Sequence, residues 1–279
     1  MHLPPLNRRL LLLSSLGFLA APALAAAPSR FDVALYQART IVTGQRPETR
    51  NPGLERCLRD VLVRVSGDPR LADHPKLADL VKRAAEPVKT VGYRDLYAGK
   101  KLKDEQGTRD RPYEMTVEYD LPKIDAMLAG LGSRPWLGDR PRLVIFLAVH
   151  HIGTQYVLDS TIDVGELQRQ SFQDAAYRYG LEVIIPGKAV LEKAGLTLDT
   201  LPERPLAALE PFVDQKVGQV PLAGTLKWNK QLLAWEADWR LAANNSQHRW
   251  GIKGVNFDAA FRNAVGGAAQ IMSGNGEPA

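Results

Sequence analysis

The chain has 279 residues, a formal net charge of +5, one cysteine, 45% hydrophobic and 24% charged residues. That composition fits one or two globular domains and excludes both a disordered chain and a disulfide framework. Lys and Arg are scattered instead of forming a block, so the basic balance does not point to nucleic acid.

Residues 1–25 read as a secretory leader. Arg8 and Arg9 precede an apolar run, and Ala23-Leu24-Ala25 has the small-x-small spacing that a leader peptidase reads. Ser14, Ser15, Gly17 and Pro22 interrupt the run, which is short for the roughly 20 residues of a membrane span. Loss of Arg8 and Arg9, with no acid before Ala26, takes the formal charge from +5 down by two to +3. The mature chain is expected to be soluble and periplasmic, without a transmembrane segment after cleavage and with Sec and twin-arginine export both open. No cysteine follows the leader to carry a lipid.

Residues 31–43, rich in Val, Ile, Tyr and Thr and closed by Gly44, read as a strand. Residues 51–68 read as the helix around which the rest is organised. Leu54, Cys57, Leu58, Val61, Leu62 and Val65 recur at helical spacing, Pro52 suits a first turn, and Gly67 suits the left-handed position after the last. Cys57 lies on that apolar face without a basic neighbour and reads as a small buried hydrophobe, not a nucleophile. A second helical stretch, 75–85, is followed by strands over 88–97 and 113–119. Pro122 then opens a helix carrying Ile124, Met127, Leu128 and Leu131.

The glycine- and proline-rich residues 132–141 mark a linker between an N-terminal α+β domain (28–131) and a C-terminal α/β domain (142–273), with Trp136 pinning the junction. Residues 142–149 form a near-continuous apolar run, as a strand buried on both faces requires. A helix over 164–179, presenting Leu167, Phe172, Ala175, Ala176 and Tyr179, and a short strand over 181–185 complete a βαβ start. Short helices are expected within 189–194 and 205–215.

The closing segments alternate cleanly. Even positions of 222–228 and odd positions of 233–241 are apolar or small, and a turn at Asn244-Asn245 pairs Trp239 with Trp250 and Ala237 with Ile252. Pairing Trp228 with Trp235 sets Leu226 on Ala237 and Leu222 on Leu241, so both registers agree on one apolar face. Asn256 caps a terminal helix that covers it, with Gly266-Gly267 allowing close approach. The fold class is therefore α+β to α/β. Two two-layer units are expected, the second with a βαβ start and an antiparallel meander packed by the last helix.

LYQARTIVTG with LRDVLVRVSGD, DEQGTRDRPYEMTVEYD, RPWLGDRPRLVIFL, GTLKW, LLAWEADWRL and FDAAFRNAVGGAAQIMSG together resemble an exported proteobacterial family catalogued as domain of unknown function 2066. The resemblance implies an envelope protein without established activity or defined functional residues. It also implies an inner-membrane protein partner, because such genes lie beside a multispanning permease.

Candidate sites are few. His150 and His151 end the buried strand, but neighbours on a strand face opposite ways and no HExxH or CxxC spacing accompanies them, so no metal or other cofactor is expected. The loop bearing Asp104, Glu105, Arg109, Asp110 and Arg111 offers charges for a ligand or partner, and Trp136 offers a ring at the linker. The row Trp228, Trp235, Trp239 and Trp250 is either a stacking surface or core; a covering terminal helix makes it core. No GxSxG elbow or phosphate loop is present. The reading is a non-enzymatic envelope protein that binds a partner or assists assembly. The alternatives are a periplasmic hydrolase using scattered His and Asp residues and a small-ligand or glycan binder.

Overall fold

The computed structural model describes residues 30–99, 111–161 and 164–278; the expected leader at 1–25 lies outside them. The chain is a mixed α+β protein built on two sheets. After helix α1 (Arg30–Leu35), strand β1 (Gln37–Thr43) leads into the long helix α2 (Pro47–Ser66). A short helix α3 (Leu77–Val81), strands β2 (Val88–Asp95) and β3 (Pro112–Tyr119) and helix α4 (Leu121–Gly130) follow. The three strands form an antiparallel sheet in the order β1-β3-β2. Met115, Val117 and Tyr119 alternate into the core on β3 and meet α2.

Three expectations need correcting here. Residues 31–43 are not one strand: Leu35, Tyr36 and Ala38 are all buried, which a period of two does not allow, and a helical turn before the strand does. Helix α2 begins at Pro47, after an extended Arg46, so Pro52 sits inside the helix and not at its start. The early turns hold to the sheet because Gly53 has no side chain; a Cβ there would come within 2.6 Å of Val42 and 2.7 Å of Met115. The helix expected over 75–85 contracts to Leu77–Val81, and the chain continues in turns. The far end of α2 agrees with expectation, since Gly67 has φ 69° and its N–H closes on the Val63 carbonyl.

The second half begins with β4 (Arg142–His151), followed by β5 (Thr154–Val157), helix α5 (Glu166–Tyr179), β6 (Glu182–Ile184) and helix α6 (Lys188–Lys193). Single 3-10 turns lead on to β7 (Gln219–Asn229), β8 (Ala234–Ala243), β9 (Ser246–Val255) and helix α7 (Phe257–Met272). The sheet order is β5-β4-β7-β8-β9, with β6 beside the first half of β4. β4 runs parallel to β6 and β7, and the meander pairs Trp228 with Trp235 and Trp239 with Trp250 in the expected register. Both faces of β4 are covered. Leu143, Ile145, Leu147 and Val149 face α5 and α7, while Val144, Phe146 and Ala148 face Leu191, Leu201, Leu206 and Leu209.

One buried apolar cluster includes residues of both sheets, and α2 touches β1 and β3 as well as α5. Arg140 fastens this junction. Its guanidinium lies 4.2 Å over the Trp136 ring and donates to the carbonyls of Val65, at the end of α2, and Tyr179, at the end of α5. A cation at two helix C-termini is electrostatically well placed. Trp136 adds its own N–H to the Val65 carbonyl at 2.7 Å. From the far end of the chain, Asn275 donates to the Ser66 carbonyl at 2.9 Å.

Candidate functional site

Exposed large apolar side chains are not scattered evenly on the larger sheet. Because β4 and β7 are parallel and pair His150 with Lys227, the turn after β4 and the turn after β7 leave the sheet side by side. Ile152 occupies the first, and Leu232 and Leu233 occupy the second; they are 55%, 56% and 74% exposed. Helix α5 starts at the same end. Its Ser171 donates to Asp258 in the first turn of α7 at 2.5 Å, and α7 follows directly on β9, whose Val255 pairs with Trp235 at the start of β8. Val164 and Leu167 therefore join the same end, both exposed.

The β7–β8 turn is built rigidly. The Asn229 side-chain oxygen accepts from the N–H groups of Gln231 and Leu232 at 2.9 and 3.0 Å, and its amide donates to Glu236 at 2.8 Å. Leu233 then takes φ 47°, a left-handed conformation that normally goes to glycine or asparagine. Behind the turn, the His151 ring stacks on Trp235 with centroids 5.1 Å apart, and Trp228 stands edge-on at 5.6 Å from His151 and 5.3 Å from Trp235. Lys227, Lys230 and Lys253 are exposed around this end.

Sequence reasoning placed Leu233 inside the strand and Leu167 on the inward face of its helix; both project into water. The available signal was chemical: a Leu-Leu pair stands where a hairpin turn calls for Gly, Asn or Asp.

Of the candidate residues named from the sequence, Asp104, Glu105, Arg109 and Asp110 lie outside the described residues. Arg111 pairs with Asp95 at 3.2 Å across the ends of β2 and β3. Trp136 is half-buried at the junction, near the start of β4, so the ten residues of β4 separate it from His151. His150 and His151 do face opposite ways: His151 meets the tryptophans, while His150 has a buried Nε2 without a hydrogen-bond partner. Among the described residues His248 meets a carboxylate, 2.8 Å from Glu277, and its other nitrogen is taken by the Ala243 carbonyl. Among the described residues no group of three or more His, Cys, Asp or Glu is placed to hold a metal ion.

Trp235, Trp239 and Trp250 are buried and Trp228 is half-buried, so the row is core as its covering helix required. Cys57 is fully buried, and desolvation pushes its thiol up to about 12. A polar concavity lies where α2 meets α5, and several of its groups are engaged with one another. Asp60 pairs with Arg178 at 3.2 Å, Ser171 with Asp258, and buried Arg64 donates to the Gln37 carbonyl while lying 4.2 Å over the Tyr177 ring.

Residues 33–137 match a family model described as Domain of unknown function (DUF8605). The chain is similar to that family over this stretch. The match replaces the resemblance to domain of unknown function 2066, which rested on the order of several short segments, none of them specific by itself. The matched stretch covers the smaller sheet, α2, α4 and Trp136, and ends before β4, so the apolar end lies outside it. No curated protein and no solved structure matches the chain.

Proposed function

We propose that this chain is a non-enzymatic accessory protein of the bacterial envelope that works by docking its apolar end onto another envelope component. The observation that carries the reading is the turn at Leu232-Leu233. Two leucines stand in water on a turn fixed by Asn229, one of them in a backbone conformation that costs energy. A contiguous exposed apolar patch with a polar rim marks a contact surface more often than a defect. The leader-like residues 1–25 support an exported location. Among the described residues no helix is long and apolar enough to cross a membrane.

The test is fractionation of the producing cells. The wild-type chain is expected with the envelope membranes. Leu232→Ser with Leu233→Ser should release it to the soluble fraction at an unchanged level. A double variant that distributes as the wild type does would overturn the reading.

A further inference from the structure

We infer that the occupant of the apolar end is the lipid of an anionic membrane surface, into which Ile152, Leu232 and Leu233 insert. This rests on the docking reading above and names what is docked upon. Shape is the first argument. The three side chains project from the tips of two neighbouring hairpin turns, a convex arrangement; a protein partner would need a matching hollow, whereas a fluid acyl layer moulds itself around any projection. Rigidity is the second, because the turn is fixed by the two hydrogen bonds to Asn229 and is already committed before contact. Little ordering entropy is left to lose on insertion.

Depth ordering is the third argument. Behind the aliphatic tips come the exposed His151 ring and the half-buried Trp228, with buried Trp235 packed beneath them, and a tryptophan edge favours the level of lipid headgroups. Charge is the fourth. Exposed Lys227, Lys230 and Lys253 surround the end. On this hairpin tip and the strand beside it the three lysines stand to one glutamate, Glu236, which pairs in register between Lys227 and Lys253 and keeps its charge while accepting from Asn229. Asp258 and exposed Glu166 stand at the starts of the two helices. Basic residues near a negative leaflet each add about fivefold to binding.

The experiment is co-sedimentation of the full chain with protein-free vesicles of phosphatidylethanolamine and phosphatidylglycerol, against vesicles of phosphatidylcholine alone. Residues 1–25 are common to every variant, so differences between variants report the tip. Wild type is expected to bind the anionic vesicles and to weaken with salt. Leu232→Ser with Leu233→Asn should weaken binding about tenfold or more. Lys227→Gln with Lys230→Gln should weaken it about fivefold per charge on anionic vesicles and leave any binding to neutral vesicles unchanged. Each variant's urea midpoint, equal to or above that of wild type, shows that lost binding is not lost folding.

Equal binding by wild type and the leucine variant overturns the inference. Wild type that ignores vesicles, while the leucine variant still leaves the envelope fraction in cells, overturns lipid as occupant and leaves docking on a protein. Failure of both experiments overturns docking as well.

Discussion

A leucine held in the left-handed region gives up about 1–2 kcal/mol relative to its ordinary conformations, and Leu233 does so while 74% exposed, where packing returns little of it. Leu233→Asn is therefore expected to raise unfolding stability by about 0.5–1 kcal/mol in urea melts, and by the docking account it loses function while doing so. A destabilising variant would show that Leu233 makes contacts that hold the turn. At the other extreme of burial, Cys57 is fully enclosed and its thiol is pushed from 9.0 up to about 12, by desolvation first and then by Asp60. A raised folded-state pKa means that the folded chain keeps its proton where the unfolded chain has lost it. Stability from this group is thus complete below pH 9 and declines as pH rises towards about 12, by up to about 1.4 kcal/mol per unit. Urea melts at rising alkaline pH should show a shallower decline for Cys57→Ala than for wild type; parallel slopes would assign the decline to other groups, buried Tyr119 among them.

Among the elements, α7 approaches its neighbours more closely than side chains would allow. A Cβ at Gly267 would fall 2.5 Å from the Trp250 indole nitrogen, and one at Gly266 2.8 Å from the Tyr179 ring. Gly267→Ala should gain about 1 kcal/mol of helix propensity yet lose more, about 1–3 kcal/mol, by displacing Trp250 and its 3.1 Å bond to the Asn263 carbonyl. Gly130→Ala, at the end of α4 with nothing near its Cβ position, should leave the urea midpoint unchanged or raise it. This closeness was readable in the sequence, as was the meander register, because Trp, Ala and Leu alternate there over two strands and the period of two leaves one solution. The start of α2 was not readable. Pro47 and Pro52 both suit a first turn, and the choice is made by Gly53 lying against Val42 and Met115, a contact between elements. Leu233 was misread because an apolar residue extends a strand pattern, and the signal against it, a Leu-Leu pair without the glycine or asparagine a turn prefers, is weaker than the alternation that follows it.

At the scale of the molecule, α2 lies between the smaller sheet and the α5–α7 layer, and Arg140 and Asn275 tie its last turn to the second half. These ties join residues far apart in sequence and leave no periodic trace, which is why Trp136 was legible as a junction residue and Arg140 was not. The consequence is polarity of layout. Fastenings gather near the start of β4, while the opposite end of the same sheet carries the unmatched leucines. The most direct test of docking uses the chain's single cysteine to advantage, because fully buried Cys57 leaves an introduced surface thiol free to be labelled alone. An environment-sensitive fluorophore is attached at Leu232→Cys, or at Val217→Cys beside the start of β4, and envelope membranes from the producing cells are added. The account predicts a blue shift at position 232 and none at 217. A spectrum unchanged at 232, or a shift as large at 217, would contradict it.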